Sequence, residues 1–540
     1  MTERPISMAE GAFSRGVVAA PHRAAAEAGR LMLAEGGNAI EAMIAAAATI
    51  AAVYPHMTHV GGDGFWLIHQ PGGRVHGIEA CGFAGERATL RSYLDRGLYE
   101  IPTRGPLAAL TVPGAIGGWR LANAMAKAAG GRLPRTAMLE PAIRAAREGY
   151  AVTRSQARLT VDKLFELKDC PGFADTFLVD GKPPAEGAVL KQAKLADSLE
   201  HLARSGFQDC YRGDIARELA ADLEEFGSPV TRADLQAYYA VERTPLTLDH
   251  SLGRVFNMPP PTQGLASLMI LGIVDRLEAL HGPVKPDTAA FVHRIVEATK
   301  RAFMVRDRVI TDFDRLESDP ATFLTEQALT REAMAIDMAR ALDWPQPAAR
   351  GDTIWMGAAD SEGRVVSYIQ SIYWEFGSGL VSPRTGFLMQ NRGASFVLDP
   401  KAVNPLEPGR RPFHTLNPAL AVTADRRVMA YGTMGGDGQP QTQAQFFERH
   451  LRHGQDLERA LDAPRWLLGR TWGSARTGLR LESRFDERLV KELGRMGHQA
   501  EMIEEGWSDT MGHAGAAIWH PDGSLSGAHD PRADGGAAGV

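Results

Sequence analysis

Residues 353–374 read TIWMGAADSEGRVVSYIQSIYW, and the fold is decided there. Two runs rich in β-branched and aromatic residues, TIWMGAAD and RVVSYIQSIYW, flank Ser361-Glu362-Gly363, a turn composition. A strand that returns at once through so short a turn predicts an antiparallel hairpin. The scheme recurs downstream. PALAVTAD turns through Arg426-Arg427 into VMAYGTM, and AAIWHPDGSLSGA carries an Asp522-Gly523 turn.

Upstream the chain reads as helix. Residues 22–35 form a helix closed by Gly36 and Gly37. Asn38 caps a second one, with Glu41 three residues on as in a capping box. That helix, AIEAMIAAAATIAAVY, is apolar nearly all round, which predicts burial; Pro55 ends it. The turn Gly61-Gly62-Asp63-Gly64 leads into two short strands, FWLIHQ and RVHGIEA. Residues 115–345 read as mostly helical. Residues 343–352, DWPQPAARGD, hold two prolines and no apolar period and read as a loose surface segment. The expected class is α+β, antiparallel sheets covered by helices.

Composition narrows the function. With 540 residues, 44% hydrophobic and 23% charged, the core is ample and disorder of the whole chain is excluded. A net charge of −6 argues against a nucleic-acid partner. Cys81, Cys170 and Cys210 cannot make a disulfide framework, which points to a reducing compartment. The opening MTERPISMAEGAFSRG has no apolar signal core. The longest apolar run, 42–54, is shorter than the ~20 residues that span a bilayer. The expectation is a cytoplasmic protein with no membrane partner.

Phosphate-loop, zincin and nucleophile-elbow motifs do not occur. His56 and His59 lack a third ligand nearby and read as core or solvated histidines, so no metal or other cofactor is expected. Gly435-Gly436-Asp437-Gly438 lies between a strand and a helix, where backbone N–H groups can meet an anion; alone it reads as a tight turn. The join Asp352-Thr353 is more informative, because a loose segment ends where a strand begins with threonine. If the bond before Thr353 is cut, hydroxyl and α-amine share one residue. An α-amine titrates near 7.7–8.0 and can take the hydroxyl proton in acyl transfer. On local sequence alone, Thr353 is an ordinary strand threonine.

The wider pattern changes that reading. GGNAIEAMIAAA, YPHMTHVGGDGF, TVPGAIGGW, GDT, FGSGLVSPRTGFLMQN, LNPALAV, GTMGGDGQPQ, LDAPRW and GAHDPRADGG follow one another in order. Over nearly its whole length the chain resembles the γ-glutamyltransferase family of N-terminal-nucleophile hydrolases. The resemblance implies an αββα sandwich and a precursor that cuts itself. The products would be a large subunit, 1–352, and a small subunit, 353–540, intertwined as one domain, with a homodimer of such pairs as one assembly open to it. It implies Thr353 as nucleophile, Ser371 as its supporting hydroxyl, and Gly435 and Gly436 as the oxyanion hole. Donors so placed are worth about 3–4 kcal/mol each.

The departures bear on the substrate. The family's carboxylate-gripping arginine falls at Cys81 and an asparagine at Tyr373. The residues that hold the substrate ammonium fall at Arg392 and Ser395, and a serine pair at His414 and Thr415. An acid is lost and a guanidinium gained, which suits a donor with a carboxylate and no ammonium. The competing reading turns Arg392 outward to a surface acid. MQNRGASF, EACGFAG and GGDGQPQTQA are most similar to the oxamate amidohydrolase branch. There Arg392, His414 and Thr415 would bind a small amide and Tyr373 would shorten the pocket. Three alternatives stay open. A γ-glutamyl hydrolase or transferase would need another cation near Cys81, such as Arg87. A cephalosporin-type acylase would need a wider pocket built from Trp355, Tyr373 and Trp374. A non-catalytic binding protein is disfavoured by the presence of Thr353, Ser371 and the glycine pair.

Overall fold

The computed structural model describes residues 13–344, 352–469 and 478–540. Most of the proline-bearing segment before Thr353, 345–351, lies outside the described residues. The hairpin forms where its sequence predicts it. Asp352–Asp360 pairs antiparallel with Val365–Tyr373, from Val365 opposite Ala359 to Gln370 opposite Ile354. The turn closes because Asp360 Oδ1 accepts from the amides of Glu362 and Arg364, and Gly363 adopts φ +84°. A bulge interrupts the ladder between Gln370 and Tyr373.

Among the described residues this hairpin is the centre of a seven-stranded sheet. Its spatial order is Gly536–Gly539, Gly16–Ala20, Asp352–Asp360, Val365–Tyr373, Asp63–His69, Val75–Ala80 and Val241–Arg243. A second, six-stranded sheet runs Leu525–His529, Gly515–Trp519, Val428–Gly432, Ala419–Thr423, Gly253–Asn257 and Leu246–His250. All pairings in both sheets are antiparallel.

Successive side chains on a strand face opposite ways, and this sorts the core into layers. Trp355, Ala359, Val365, Ile369, Phe65 and Leu67 pack against Leu420, Val428, Ala430 and Ala517 between the sheets. Close approach of the sheets requires glycine at 432, since a Cβ there would lie 2.2 Å from the Trp355 ring. Ile354, Met356, Ala358, Val366 and Tyr368 face the helices Arg23–Ala34 and Ala39–Val53 instead. The outer face of the second sheet is covered by Gly264–His281 and Ala289–Val309. The result is an αββα sandwich.

The capping box at Asn38 and Glu41 is present, and every residue of Ala39–Val53 is buried. Residues 115–344 are mostly helical, as expected, but strands interrupt the helices that the sequence predicts. Leu246–His250 and Gly253–Asn257 form a hairpin at the edge of the second sheet, and Val241–Arg243 edges the first. These strands are at most five residues long and lie between strongly helical stretches. Their signal, the alternating burial of LTLDH, is correspondingly weak. No helix among the described residues is long and apolar enough to cross a membrane.

Candidate active site

Thr353 is the second residue of its strand and fully buried. It shares strand parity with Trp355 and Ala359, which places it on the face between the sheets. Ser371 lies at the same end of the neighbouring strand, and Asp63 opposes it across the next pairing. Three adjacent strands thus bring three polar side chains to one end of the sandwich. The Thr353 hydroxyl accepts from Gln439 Nε2 at 3.3 Å. Asn417 orients that amide by donating to Gln439 Oε1 at 3.2 Å, and also donates to the Thr415 carbonyl at 3.0 Å.

Gln439 is in the first turn of the helix Gly438–Phe447, directly after the glycine pair. Gly435 and Gly436 adopt φ +113° and +54°, a region that side chains with a Cβ rarely occupy. Their carbonyls are used locally. Gly435 O accepts from the Gly438 amide at 2.8 Å, and Gly436 O accepts from Gln439 N at 3.2 Å and Gln263 Nε2 at 2.8 Å. Their N–H groups have no acceptor among the described residues. Gln263 also donates to the Thr415 carbonyl at 2.7 Å, tying the loop to the 414–415 segment.

Arg392 opens a short 3-10 turn, Arg392–Ser395, and is fully buried, so the outward-facing reading does not hold. It donates to Thr415 Oγ1 and Ser371 Oγ, each at 3.3 Å, and its guanidinium lies 4.0 Å from the centre of the Tyr373 ring. Tyr373 has φ +84°, a strained conformation for an aromatic residue, and donates its amide to Ser371 Oγ at 2.7 Å. Arg392 Nε has no hydrogen-bond partner, and no carboxylate among the described residues comes within ion-pair distance. Burial lowers its pKa to about 10, which leaves it charged at neutral pH.

The lost acid is only partly lost. Asp63, from the Gly-rich turn, is buried beside this pocket. Its Oδ1 accepts from the amides of Gly82 and Gly114 and from Gln390 Nε2, at 3.0, 3.1 and 3.0 Å. Its Oδ2 makes no hydrogen bond and lies 3.4 Å from His414 Nε2. Burial raises the Asp63 pKa to about 7 against the opposing pull of Arg392. Burial, with Arg392 and then Arg411, holds His414 neutral, and neither of its ring nitrogens is hydrogen-bonded.

Other positions fall differently from expectation. Cys81 is buried near Asp63, but Arg87 is exposed on the surface against Glu224 at 3.6 Å and adds no cation to the pocket. Arg411 is the second cation near Cys81, and it is held by Glu79 at 2.8 Å. Ser395 donates to the Phe413 carbonyl. Trp355 belongs to the core between the sheets, with Nε1 on Ser367 Oγ at 2.9 Å, and does not widen the pocket. His56 and His59 are core histidines, bonded to Ser155 and Gln192. Asp63, Gln439 and Gln263 were not singled out from sequence; an acid inside a glycine-rich turn that feeds a buried strand was the available sign for Asp63. His293, Glu297 and His498 cluster closely enough to hold an ion. Their atoms are engaged, however: His293 bonds His498 and the Asp337 carbonyl, and Lys300 is 2.6 Å from Glu297.

Two antiparallel sheets between helices, with a buried threonine at the start of a central strand, one residue in, define the N-terminal-nucleophile hydrolase fold. The γ-glutamyltranspeptidase family model matches residues 25–540, and the chain belongs to that family. It is 50% identical to the oxamate amidohydrolase proenzyme of Klebsiella pneumoniae, over 97% of this chain and 98% of the relative. It is 37% identical to a glutathione hydrolase-like proenzyme of Bacillus subtilis, over 97% and 98%. The crystal structure of cephalosporin acylase from Bacillus halodurans superposes with a TM-score of 0.89 at 32% identity, covering 100% of this chain and 98% of that one.

Proposed function

We propose that the chain is a self-processing amidohydrolase acting on a small amide that bears a carboxylate and no ammonium, such as oxamate. Cleavage at Asp352-Thr353 frees the Thr353 α-amine. That amine takes the Oγ1 proton as the oxygen attacks the amide carbon. The amide nitrogen leaves as ammonia, carrying the proton, and an ester to Thr353 remains. Water then cleaves the ester and regenerates the hydroxyl. The Gly435 and Gly436 N–H groups take the charge on the carbonyl oxygen in both steps. Ser371 supports the nucleophile, Arg392 with Thr415 and His414 binds the carboxylate, and Tyr373 closes the far side.

The observation that carries this reading is Arg392, a buried guanidinium with hydroxyl partners and no ion-paired carboxylate among the described residues. An uncompensated buried charge costs several kcal/mol, and a substrate carboxylate supplies the missing counterion. The name of the 50%-identical relative supports the same substrate class. The test compares kcat/KM for oxamate and for a γ-glutamyl amide on processed protein. Preference for oxamate is expected, and preference for the γ-glutamyl amide overturns the substrate assignment.

A further inference from the structure

The pocket around Arg392 contains a buried acid that this function leaves unexplained, since an ionised Asp63 would repel the carboxylate that Arg392 is there to hold. We infer that Asp63 is the specificity-determining acid of the site: its free Oδ2, facing His414, carries a proton when the pocket takes a carboxylate, and loss of that proton turns the pocket away from anions. The inference rests on the carboxylate reading of the Arg392 pocket and adds its control.

The geometry makes the two oxygens of Asp63 unequal. Oδ1 is saturated by three donors and is fixed as an acceptor. Oδ2 has no partner, so the proton belongs there. At 3.4 Å it faces His414 Nε2, and a neutral imidazole nitrogen can accept. The charge then follows from counting. With Asp63 protonated, Asp63, His414 and Arg392 carry +1, and a monoanionic substrate brings the site to zero. With Asp63 ionised the three sum to zero, and the same substrate leaves a net negative charge in a buried site that screens it poorly. The ionised form would instead suit an ammonium, as in a glutamyl donor. One proton thereby separates the two substrate classes.

The side chains around Asp63 do not share this titration. Arg392 stays charged at neutral pH, with its pKa at about 10, and Arg411 is paired with Glu79. Cys81, Tyr211, Tyr238 and Tyr368, which surround Asp63 from four other segments, are all pushed upward by burial and remain neutral. His414 is pushed the other way and is also neutral. The carboxyl, raised to about 7, is the side chain that changes charge near neutrality; the Thr353 α-amine of the processed chain titrates at about 7.7–8.0, and Asp63→Asn separates the two.

The probe is pyruvate, which has a methyl group where oxamate has its amide nitrogen and whose own acid titrates far below this range. Calorimetry of pyruvate binding to the processed protein at pH 8, in two buffers of different ionisation enthalpy, reads protons taken up. Uptake approaching one proton per pyruvate is expected, with affinity falling about tenfold per pH unit above neutrality. Asp63→Asn keeps an acceptor for the three donors and cannot ionise; it should bind pyruvate with no uptake and no loss of affinity up to pH 9. If wild type binds pyruvate without proton uptake, Asp63 is not the switch, although the carboxylate pocket stands. If uptake persists in Asp63→Asn, the proton belongs to another group, His414 where His414→Gln abolishes it and the Thr353 α-amine where it does not, and the inference fails. If pyruvate does not bind at any pH, the carboxylate reading itself fails. The wild-type measurement decides even where a variant does not fold.

Discussion

A buried guanidinium that no carboxylate among the described residues pairs with is a liability in a protein that does nothing with it. Desolvating such an ion costs several kcal/mol after relaxation, and two long hydroxyl contacts return only part of that. Function and stability should therefore oppose each other at Arg392. Arg392→Met keeps the volume and removes the charge. It should lower kcat/KM for oxamate by about 10²–10³, the loss of a charge-assisted pair of some 3 kcal/mol or more. The melting temperature should stay level or rise. A merely structural arginine would show the reverse, with a lower melting temperature and little change in turnover. Sequence made this residue visible because its type is at odds with the family's pattern. Asp63 was not visible in that way, since its meaning comes from a pairing opposite Ser371 that only the assembled sheet creates.

At the scale of elements, hairpins carried by β-branched runs and a turn glycine were legible, as was the capped buried helix Ala39–Val53. The edge hairpin Leu246–His250 and Gly253–Asn257 was not, because its stability comes from packing on Gly264–His281 more than from local propensity. One tie joins two legible elements. Asp360 closes the Thr353 hairpin turn, and its Oδ2 also accepts from the Ala39 amide at 3.0 Å, at the positive end of that helix. Asp360→Ala removes the acceptor for three backbone amides and a counterion of Arg364. It should destabilise by about 2–4 kcal/mol, read as a lower denaturant midpoint. The glycine loop should respond differently. Gly435→Ala forces a side chain into φ +113°, and its Cβ would meet nothing closer than 3.5 Å. The loop can thus shift without a clash in the core. The expected result is a kcat lowered by about 10²–10³ with stability lowered only by the local backbone strain, about 1–2 kcal/mol, as for a misdirected oxyanion donor. Equal loss in both readouts would reduce the loop to a turn.

The topology of the whole molecule bears on whether a cut at Asp352-Thr353 separates anything. Strands from the two sides of that bond interleave in the larger sheet. Gly16–Ala20 lies between Gly536–Gly539 and Asp352–Asp360, and Val365–Tyr373 pairs with Asp63–His69. The second sheet is shared as well, at the pairing of Ala419–Thr423 with Gly253–Asn257. Pulling the pieces apart would break four strand pairings among the described residues and expose the core between the sheets. Cleavage should therefore leave fragments of 352 and 188 residues that separate under denaturing conditions and travel together through gel filtration under native ones. Thr353→Ala should remain one 58.4 kDa chain, because the hydroxyl that attacks the preceding peptide is gone. Its denaturant midpoint should lie close to that of the processed form, since both sheets are already complete in the uncut chain. Arg392→Met should still cut itself, as that step needs Thr353 and no substrate. Mass analysis of the purified wild type decides between the outcomes: a chain that stays whole and still turns over amide would rule out Thr353 as an N-terminal nucleophile.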